Sequence, residues 1–315
     1  MATGFVRRAF LGLALLLGAQ AGQAFKLVDD DLYASGGLHV LYRYTSSGDY
    51  VERFTLPSDY GDAVRGVASG PDGLLYVVTA TGNSFHVVVL DTPGVVKAVY
   101  VGPTGTYPYI TVGKIVFAPN GDFYLAYGDG VARFSVGTSY GSVIYARQSG
   151  AFDLTTLPSG NLLVVSDSSV DEISPDGIYV RDRTPGVNFN FGRGIAYDSD
   201  TDRMFVTGYM NGAYQLMSTD GSSGDLIHSI AVGVGYCDLL LTAENVLVFG
   251  RYNGLPAIFD EDLNLIRFFG DDDGYVKAFV TQMEKPPAGP PPCFPEDECT
   301  AVSEKLPRTA TQLGR

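Results

Sequence analysis

The chain has little charge and few of the residues that usually carry out catalysis. It has no tryptophan, three histidines and three cysteines, and charged residues make up only 18% of its 315 positions. The charge it has is acidic, with a net value of −14 and no basic run. Because an acidic surface repels phosphate backbones, nucleic acid is not an expected partner. The sequence also has no extended 3.6-residue apolar period beyond its first 24 residues, which disfavours a helical fold.

Residues 1–24 have the pattern of a secretory signal. Arg7 and Arg8 precede an apolar stretch over residues 10–17, and small residues follow at 19–24. The apolar stretch is too short to span a bilayer, so stable membrane insertion is not expected. The segment 7–11, Arg-Arg-Ala-Phe-Leu, resembles the twin-arginine export motif, and an ordinary signal with two adjacent arginines remains the alternative. Either signal predicts a periplasmic or secreted protein, whose net charge after cleavage would be −16.

A short phrase recurs about every 43 residues, and its form is that of a β-hairpin. Each copy is an apolar run, a turn rich in Pro, Asp, Asn or Gly, and a second apolar run. A fixed period of this length is typical of stacked or radial units, because one hairpin cannot bury its own faces. The copies span residues 65–78, 114–126, 153–165, 193–206 and 238–248.

A second kind of hairpin alternates with the first. Its copies lie near residues 39–54, 86–101, 131–145, 169–181, 213–231 and 255–269. The sixth copy of the first kind would combine residues 275–281 with residues 32–35 at the other end of the chain. The pattern predicts an all-β six-bladed β-propeller over residues 25–283, with four-stranded blades and a ring closed by the C-terminal strand. A β-sandwich lacks a four-strand period, and the coils of a β-helix are much shorter.

The phrase over residues 66–77, Gly-Val-Ala-Ser-Gly-Pro-Asp-Gly-Leu-Leu-Tyr-Val, resembles the repeats of NHL and gluconolactonase/regucalcin-type propellers. The absence of tryptophan excludes the Trp-Asp signature of another propeller class. The resemblance is architectural. It implies either a binding or interaction module, or a hydrolase that holds a divalent cation at its channel mouth through an early glutamate and later Asn and Asp residues. The early glutamate here, Glu52, falls on an outer strand, whereas Asn188 and Asn190 could face the mouth. No metal site, cofactor or catalytic residue is therefore predicted.

Six charged residues occupy the same repeat position when the inner strands are aligned on their turns. The first strand of each blade lines the channel of a propeller, so these side chains are expected to form a ring. One interpretation is a salt-bridge network that satisfies charges in a narrow channel. The other is a mouth that binds a small anion, since four cations and two anions leave +2 locally. The ring residues are Arg65, Lys114, Asp153, Arg193, Asp238 and Lys277.

The C-terminal segment, residues 284–315, is predicted to be a proline-rich linker and an irregular tail. Cys293 and Cys299 are six positions apart within it, and an exported chain favours a local disulfide between them. Cys237 lies in an apolar strand phrase and is expected to be a buried free thiol. The function that these patterns favour is an exported soluble propeller that binds an unknown protein or a small anionic ligand. The alternative is a gluconolactonase-like metal-dependent hydrolase that uses the channel mouth.

Overall fold

A computed structural model describes the chain in twelve segments, which contain 24 β-strands and one short 3₁₀ helix, Ser58–Tyr60. The segments are residues 30–35, 39–56, 58–60, 63–92, 95–104, 114–135, 137–147, 150–232, 236–242, 247–251, 256–268 and 280–282. The strands are β1 (Leu32–Ser35), β2 (Val40–Tyr44), β3 (Tyr50–Thr55), β4 (Ala63–Ser69), β5 (Leu75–Thr81), β6 (Ser84–Thr92), β7 (Val95–Val101), β8 (Ile115–Phe117), β9 (Phe123–Ala126), β10 (Gly130–Phe134), β11 (Ser142–Ala146), β12 (Asp153–Thr156), β13 (Leu162–Val165), β14 (Val170–Ile173), β15 (Tyr179–Asp182), β16 (Ile195–Asp198), β17 (Arg203–Met210), β18 (Ala213–Asp220), β19 (Leu226–Ala231), β20 (Tyr236–Leu241), β21 (Leu247–Arg251), β22 (Ala257–Phe259), β23 (Leu265–Phe268) and β24 (Val280–Gln282).

The strands pair into four-stranded antiparallel sheets, and the described residues contain six of them. We name them sheets A to F in chain order. Sheet A has the order β24-β1-β2-β3, so its first strand comes from the far end of the chain. Sheets B to F are each a simple meander: β4–β7, β8–β11, β12–β15, β16–β19 and β20–β23.

The recurring phrase forms its hairpins through local turn chemistry. In sheet B the turn between β4 and β5 places Gly73 at φ 76°, in the left-handed region that favours glycine. The Asp72 carboxylate accepts a 3.1 Å hydrogen bond from the backbone N–H of Leu74, which closes the turn. Gly121 and Gly160 adopt the same conformation in the matching turns of sheets C and D, at φ 87° and 85°. The first kind of hairpin predicted from the sequence therefore depends on residues that its turn requires.

Burial falls from the second strand of a sheet to the fourth. Strands β9 and β13 are buried at every position, since they lie between two neighbouring sheets. Their sequences are continuous apolar runs for that reason. Strands β15 and β23, in contrast, are largely exposed.

Aromatic and aliphatic side chains fill the spaces between consecutive sheets. The cluster between sheets B and C is the most aromatic, with Phe123 stacked on Phe134 at a centroid distance of 4.7 Å. Comparable clusters join A to B, C to D, D to E and E to F. A further one packs Ile258 of sheet F against Leu32 and Tyr42 of sheet A. Because each sheet shares its apolar faces with its neighbours, no sheet has a core of its own.

Arginines on one side of the molecule bond sheets C, D and E each to the turn between the third and fourth strands of the next sheet. Arg133 of sheet C contacts Asp176 of sheet D at 3.2 Å. Arg183 of sheet D donates to the backbone carbonyl of Gly221 in sheet E. Arg203 of sheet E donates to the carbonyl of Glu261 in sheet F at 3.3 Å. These bonds tie together turns that would otherwise contribute little packing.

The second kind of hairpin is confirmed in all six predicted places. The C-terminal strand differs in its bounds: β24 covers Val280–Gln282, and it pairs antiparallel with Leu32–Ala34. Residues 275–279, 284–315 and both tail cysteines, Cys293 and Cys299, lie outside the described residues.

Candidate functional site

The carboxylate of Asp153 connects three consecutive sheets. Its side chain is fully buried at the start of β12. One oxygen accepts hydrogen bonds from the backbone N–H groups of Lys114, at 3.2 Å, and Leu154, at 2.9 Å. The other accepts from the backbone N–H of Ile195 in sheet E at 2.8 Å. Asp153 therefore satisfies backbone donors where the first strands of sheets C, D and E meet.

Lys114 extends from sheet C to sheet F. Its ammonium group donates a 2.9 Å hydrogen bond to the backbone carbonyl of Leu239 in β20. The bond therefore joins two sheets that sheets D and E separate along the chain. Lys114 is only partly exposed, and its charge offsets part of the negative charge of the aspartates nearby.

Two buried aspartates share this centre. Asp238 of sheet F is 1% exposed. Burial raises the pKa of Asp153 well above its usual range, and the negative charge of Asp238 raises it further. The Lys114 ammonium and the two backbone N–H groups of Ile195 and Leu154 oppose the rise without cancelling it. The centre therefore favours a bound proton over a second full negative charge.

The structure brings together three of the six ring residues and separates two others. Equivalent positions can be found by counting back three residues from the last paired residue of the first strand in each sheet. This position is Lys114 in sheet C, Asp153 in sheet D and Asp238 in sheet F. In sheet B the same count gives Gly66. The expected alignment of Arg65 with these residues is wrong by one position, because Arg65 is the extra residue of a β-bulge and its side chain is exposed.

Arg193 is displaced for a related reason. The turn between β16 and β17 is one residue shorter than the corresponding turns, and the same count in sheet E gives Ile195. It is the backbone N–H of Ile195, and not the Arg193 side chain, that meets Asp153. The sixth ring residue, Lys277, lies outside the described residues.

Arg193 lies instead on the face of the molecule that carries the turn of residues 166–169, which we call the upper face. Its guanidinium stacks on the ring of Phe152 with 3.9 Å between the guanidinium carbon and the ring centroid. It also contacts the carboxylate of Asp167 at 3.3 Å and donates to the carbonyl of Gly192 at 2.7 Å. A Cβ on Gly192 would lie 2.3 Å from the carbonyl oxygen of Ser166, so glycine is required where the chain passes this turn.

Phe191 extends the upper face outward. It adopts φ 52°, which is unusual for a bulky residue, and half of its surface is exposed. Its ring meets that of Tyr209 edge to face at 6.5 Å, and Tyr209 meets Tyr214 at 5.4 Å. Arg193 lies 5.9 Å from the Phe191 ring. We call Phe191, Arg193, Asp167, Tyr209 and Tyr214 the upper-face patch.

Sequence reasoning did not select the aromatic members of this patch. A signal was present in the segment Phe189-Asn190-Phe191, two aromatics flanking a polar residue in a loop. Phe189 is 1% exposed, whereas Phe191 is 50% exposed. Phe189 therefore packs in the core and Phe191 faces solvent. The amino-acid composition of the segment does not reveal which of the two phenylalanines is exposed.

The other sequence candidates fall at scattered places. Glu52 lies on the outermost strand of sheet A, as expected, and pairs with Arg43 at 2.8 Å. Asn188 and Asn190 are exposed, and the backbone of Asn190 bridges to Tyr209 near the upper-face patch. His86 and His228 lie on outer strands, whereas His39 occupies a turn just before β2. Among the described residues, no group of three His, Cys, Asp or Glu side chains has a geometry suited to a metal ion.

The architecture and the comparisons agree on the class of this protein. It is an all-β propeller with four-stranded antiparallel blades. It is similar to a protein of unknown function from Bacteroides caccae, with a TM-score of 0.60 and 13% identity over 82% of this chain and all of the other. It is also similar to a chain of a nidogen/laminin complex, with a TM-score of 0.64 and 11% identity over 80% of this chain and 98% of the other.

These identities are low enough that the likeness concerns the fold alone. No protein-family model matches the sequence, and no curated protein matches it either. The NHL-type and gluconolactonase-type resemblance thus remains a prediction from the repeated phrase. In the described part of the chain, the one short helix falls far below the length and hydropathy of a membrane-crossing segment.

Proposed function

We propose that this protein is an exported six-bladed propeller that acts as a protein-interaction module through its upper face. The observation that carries the proposal is the upper-face patch, in which exposed Phe191 stands beside Arg193 on a rigid support. Aromatic residues and arginine are the side chains most enriched at the energetic centres of protein interfaces. Aromatic side chains bury much surface while losing few rotamers, and here the patch residues contact one another before any partner arrives.

A ring of six blades is supported by the contacts between sheets. Each first strand packs against the first strand of the next sheet, and β24 packs against both β20 and β4. The apolar cluster that joins Ile258 to Leu32 supports closure at the same place. A closed ring removes exposed sheet edges at its centre and holds the loops of the upper face in fixed relative positions.

The centre of the ring is better suited to structure than to an exchangeable ligand. Asp153 uses both oxygens on backbone donors of adjacent sheets, and the Lys114 ammonium is bonded to Leu239. These contacts support the interpretation of the channel charges as an internal network rather than an anion-binding mouth. Arg193, by comparison, is 27% exposed and stands on the surface.

Export is supported by the signal pattern of residues 1–24, and a protein partner outside the cytoplasm follows from it. The test is photo-crosslinking in the cells that make the protein, with a benzophenone amino acid in place of Phe191. A matched control carries the same group in place of Ser159, an exposed residue in the turn at the opposite end of β13. We expect a discrete crosslinked species from position 191 that is lost when Arg193→Ala is added. Equal crosslinking from both positions, or none from either, would contradict the proposal.

A further inference from the structure

A pocket of about 230 Å³ opens between sheets E and F on the face opposite the upper-face patch. It lies where Arg203 reaches across to the turn of sheet F. Its wall in sheet E comes from the ends of β17, β18 and β19, and its wall in sheet F from the β22–β23 turn. The lining residues are Arg203, Ser218, Ile227, His228, Glu261 and Asp262.

Ser218 is the unusual member of this lining. It is 1% exposed, and its hydroxyl oxygen has no hydrogen-bond partner among the residues that the structure describes. A buried hydroxyl without a partner is costly, so such groups are rare in native structures. A ligand in the pocket that bonds this hydroxyl would recover that loss. The Ser218 hydroxyl therefore points to a binding site independently of the shape of the cavity.

The lining alternates donors and acceptors. Arg203 donates, Glu261 and Asp262 accept through their carboxylates, and Ser218 and His228 can do both. The two carboxylates outnumber the guanidinium, which lies 3.7 Å from Asp262, so the pocket is not suited to an anion. Ile227 adds an apolar contact. Hydroxyl groups on a carbon ring match this set, since each hydroxyl both donates and accepts, and the ring carbons can lie against Ile227.

We propose that this pocket binds a neutral polyhydroxylated molecule of the size of a single sugar ring. The volume is below that of sites for drug-sized ligands, which limits the occupant to a small molecule. A hydrolytic role for the serine is not supported, because a nucleophilic hydroxyl needs a base within hydrogen-bonding distance. His228 lies opposite Ser218 on the neighbouring strand, yet the Ser218 hydroxyl does not bond to it or to any other described residue.

The experiment is saturation-transfer NMR on the purified full-length chain. The probes are the methyl glycosides of glucose, galactose and mannose, together with myo-inositol, and acetate serves as the charged comparison. We expect saturable binding of at least one polyol and a dissociation constant about tenfold weaker in Ser218→Ala, the loss of roughly one good hydrogen bond. Because the Ser218 hydroxyl has no partner in the described part of the chain, this variant should melt at the parent temperature. Ser142→Ala, on an exposed strand of sheet C, should bind as the parent does.

Asp262→Asn is a second test variant. The Asp262 side chain is 81% exposed, so the substitution does not disturb a buried position. It should weaken polyol binding while leaving the melting temperature unchanged. The proposal is overturned if no polyol gives a saturable signal, if acetate binds more tightly than every polyol, or if Ser218→Ala and Asp262→Asn both bind as the parent does.

Discussion

The ammonium of Lys114 and the backbone carbonyl of Leu239 form a 2.9 Å hydrogen bond between residues 125 positions apart. This bond ties sheet C to sheet F through the centre of the propeller. Next to it, the Asp153 carboxylate joins sheets C, D and E through backbone donors. The charged side chains at the centre thus hold different blades together, and the hydrogen bonds they make offset the free-energy cost of burying them.

The raised pKa of Asp153 predicts that stability falls as pH increases above about 4. Between the ordinary pKa of an aspartate and the raised value in the folded protein, the native state binds more protons than the unfolded state. The free energy of unfolding therefore decreases with rising pH across that window. Asp153→Asn should be less stable overall, since the amide cannot accept from every donor, but should show a shallower slope. Urea unfolding from pH 4 to pH 8 measures both, and an unchanged slope would contradict the assignment.

Glu172 predicts the opposite dependence at lower pH. Burial alone would raise its pKa, but hydrogen bonds from Asn161, Arg183 and Arg181 outweigh burial and lower the pKa to about 2. Because the folded pKa is depressed, the stabilisation is present above the unfolded value of 4.5 and is lost as pH falls toward 2. Glu172→Gln should remove on the order of 3 kcal/mol at pH 7 and almost nothing at pH 2. Equal losses of unfolding free energy at the two pH values, measured by urea titration, would contradict the lowered pKa of Glu172.

The pairing of β24 with β1 predicts different outcomes for two truncations. A chain that ends at Gly274 lacks β24 and leaves the β1 edge of sheet A unpaired. A chain that ends at Met283 keeps β24 and loses only the tail. The shorter chain should melt roughly 5–10 °C lower than the longer one, or aggregate, which differential scanning calorimetry would detect. Matching melting temperatures for the two chains would be incompatible with a β24 that completes sheet A.

The hairpins were predictable from sequence because their signals are local. Gly73, Gly121 and Gly160 occupy turn positions that few other residues tolerate, and the apolar runs on either side follow directly. The pairing of the two chain ends also followed from counting, since one hairpin in the repeat was missing. The hairpins depend on residues within a few positions of one another, and the pairing of the chain ends depends on the repeat of about 43 residues.

The charged ring was predictable only in part, because register depends on pairing that the sequence does not display. A single bulge at Arg65 and a turn one residue shorter before β17 were enough to move Arg65 and Arg193 out of line. The Lys114–Leu239 bond joins two sheets that sheets D and E separate along the chain, so no local pattern reveals it. The upper-face patch likewise arises from loops of different sheets, which no local pattern brings together.

Lys114→Met provides the sharpest test of the centre. The variant keeps most of the side-chain volume but removes the ammonium group that opposes the negative charge of Asp153. We expect a loss of about 3–5 kcal/mol in the free energy of unfolding, the scale for breaking a buried charge pair. The loss should be larger at pH 8 than at pH 5, because the raised pKa of Asp153 favours its protonation at the lower pH, which relieves the unbalanced charge.

The measurement that tests the division between a structural centre and a functional upper face is a comparison of Lys114→Met with Arg193→Ala. Arg193 is partly exposed, and its ion pair with Asp167 lies on the surface, where such pairs contribute about 0–1 kcal/mol. Its stacking on Phe152 adds a similar amount. Urea unfolding of the two variants at pH 7 should give a loss below about 2 kcal/mol for Arg193→Ala and about 3–5 kcal/mol for Lys114→Met. Equal losses, or a larger loss for Arg193→Ala, would place Arg193 in the structural network and contradict its assignment to a binding surface.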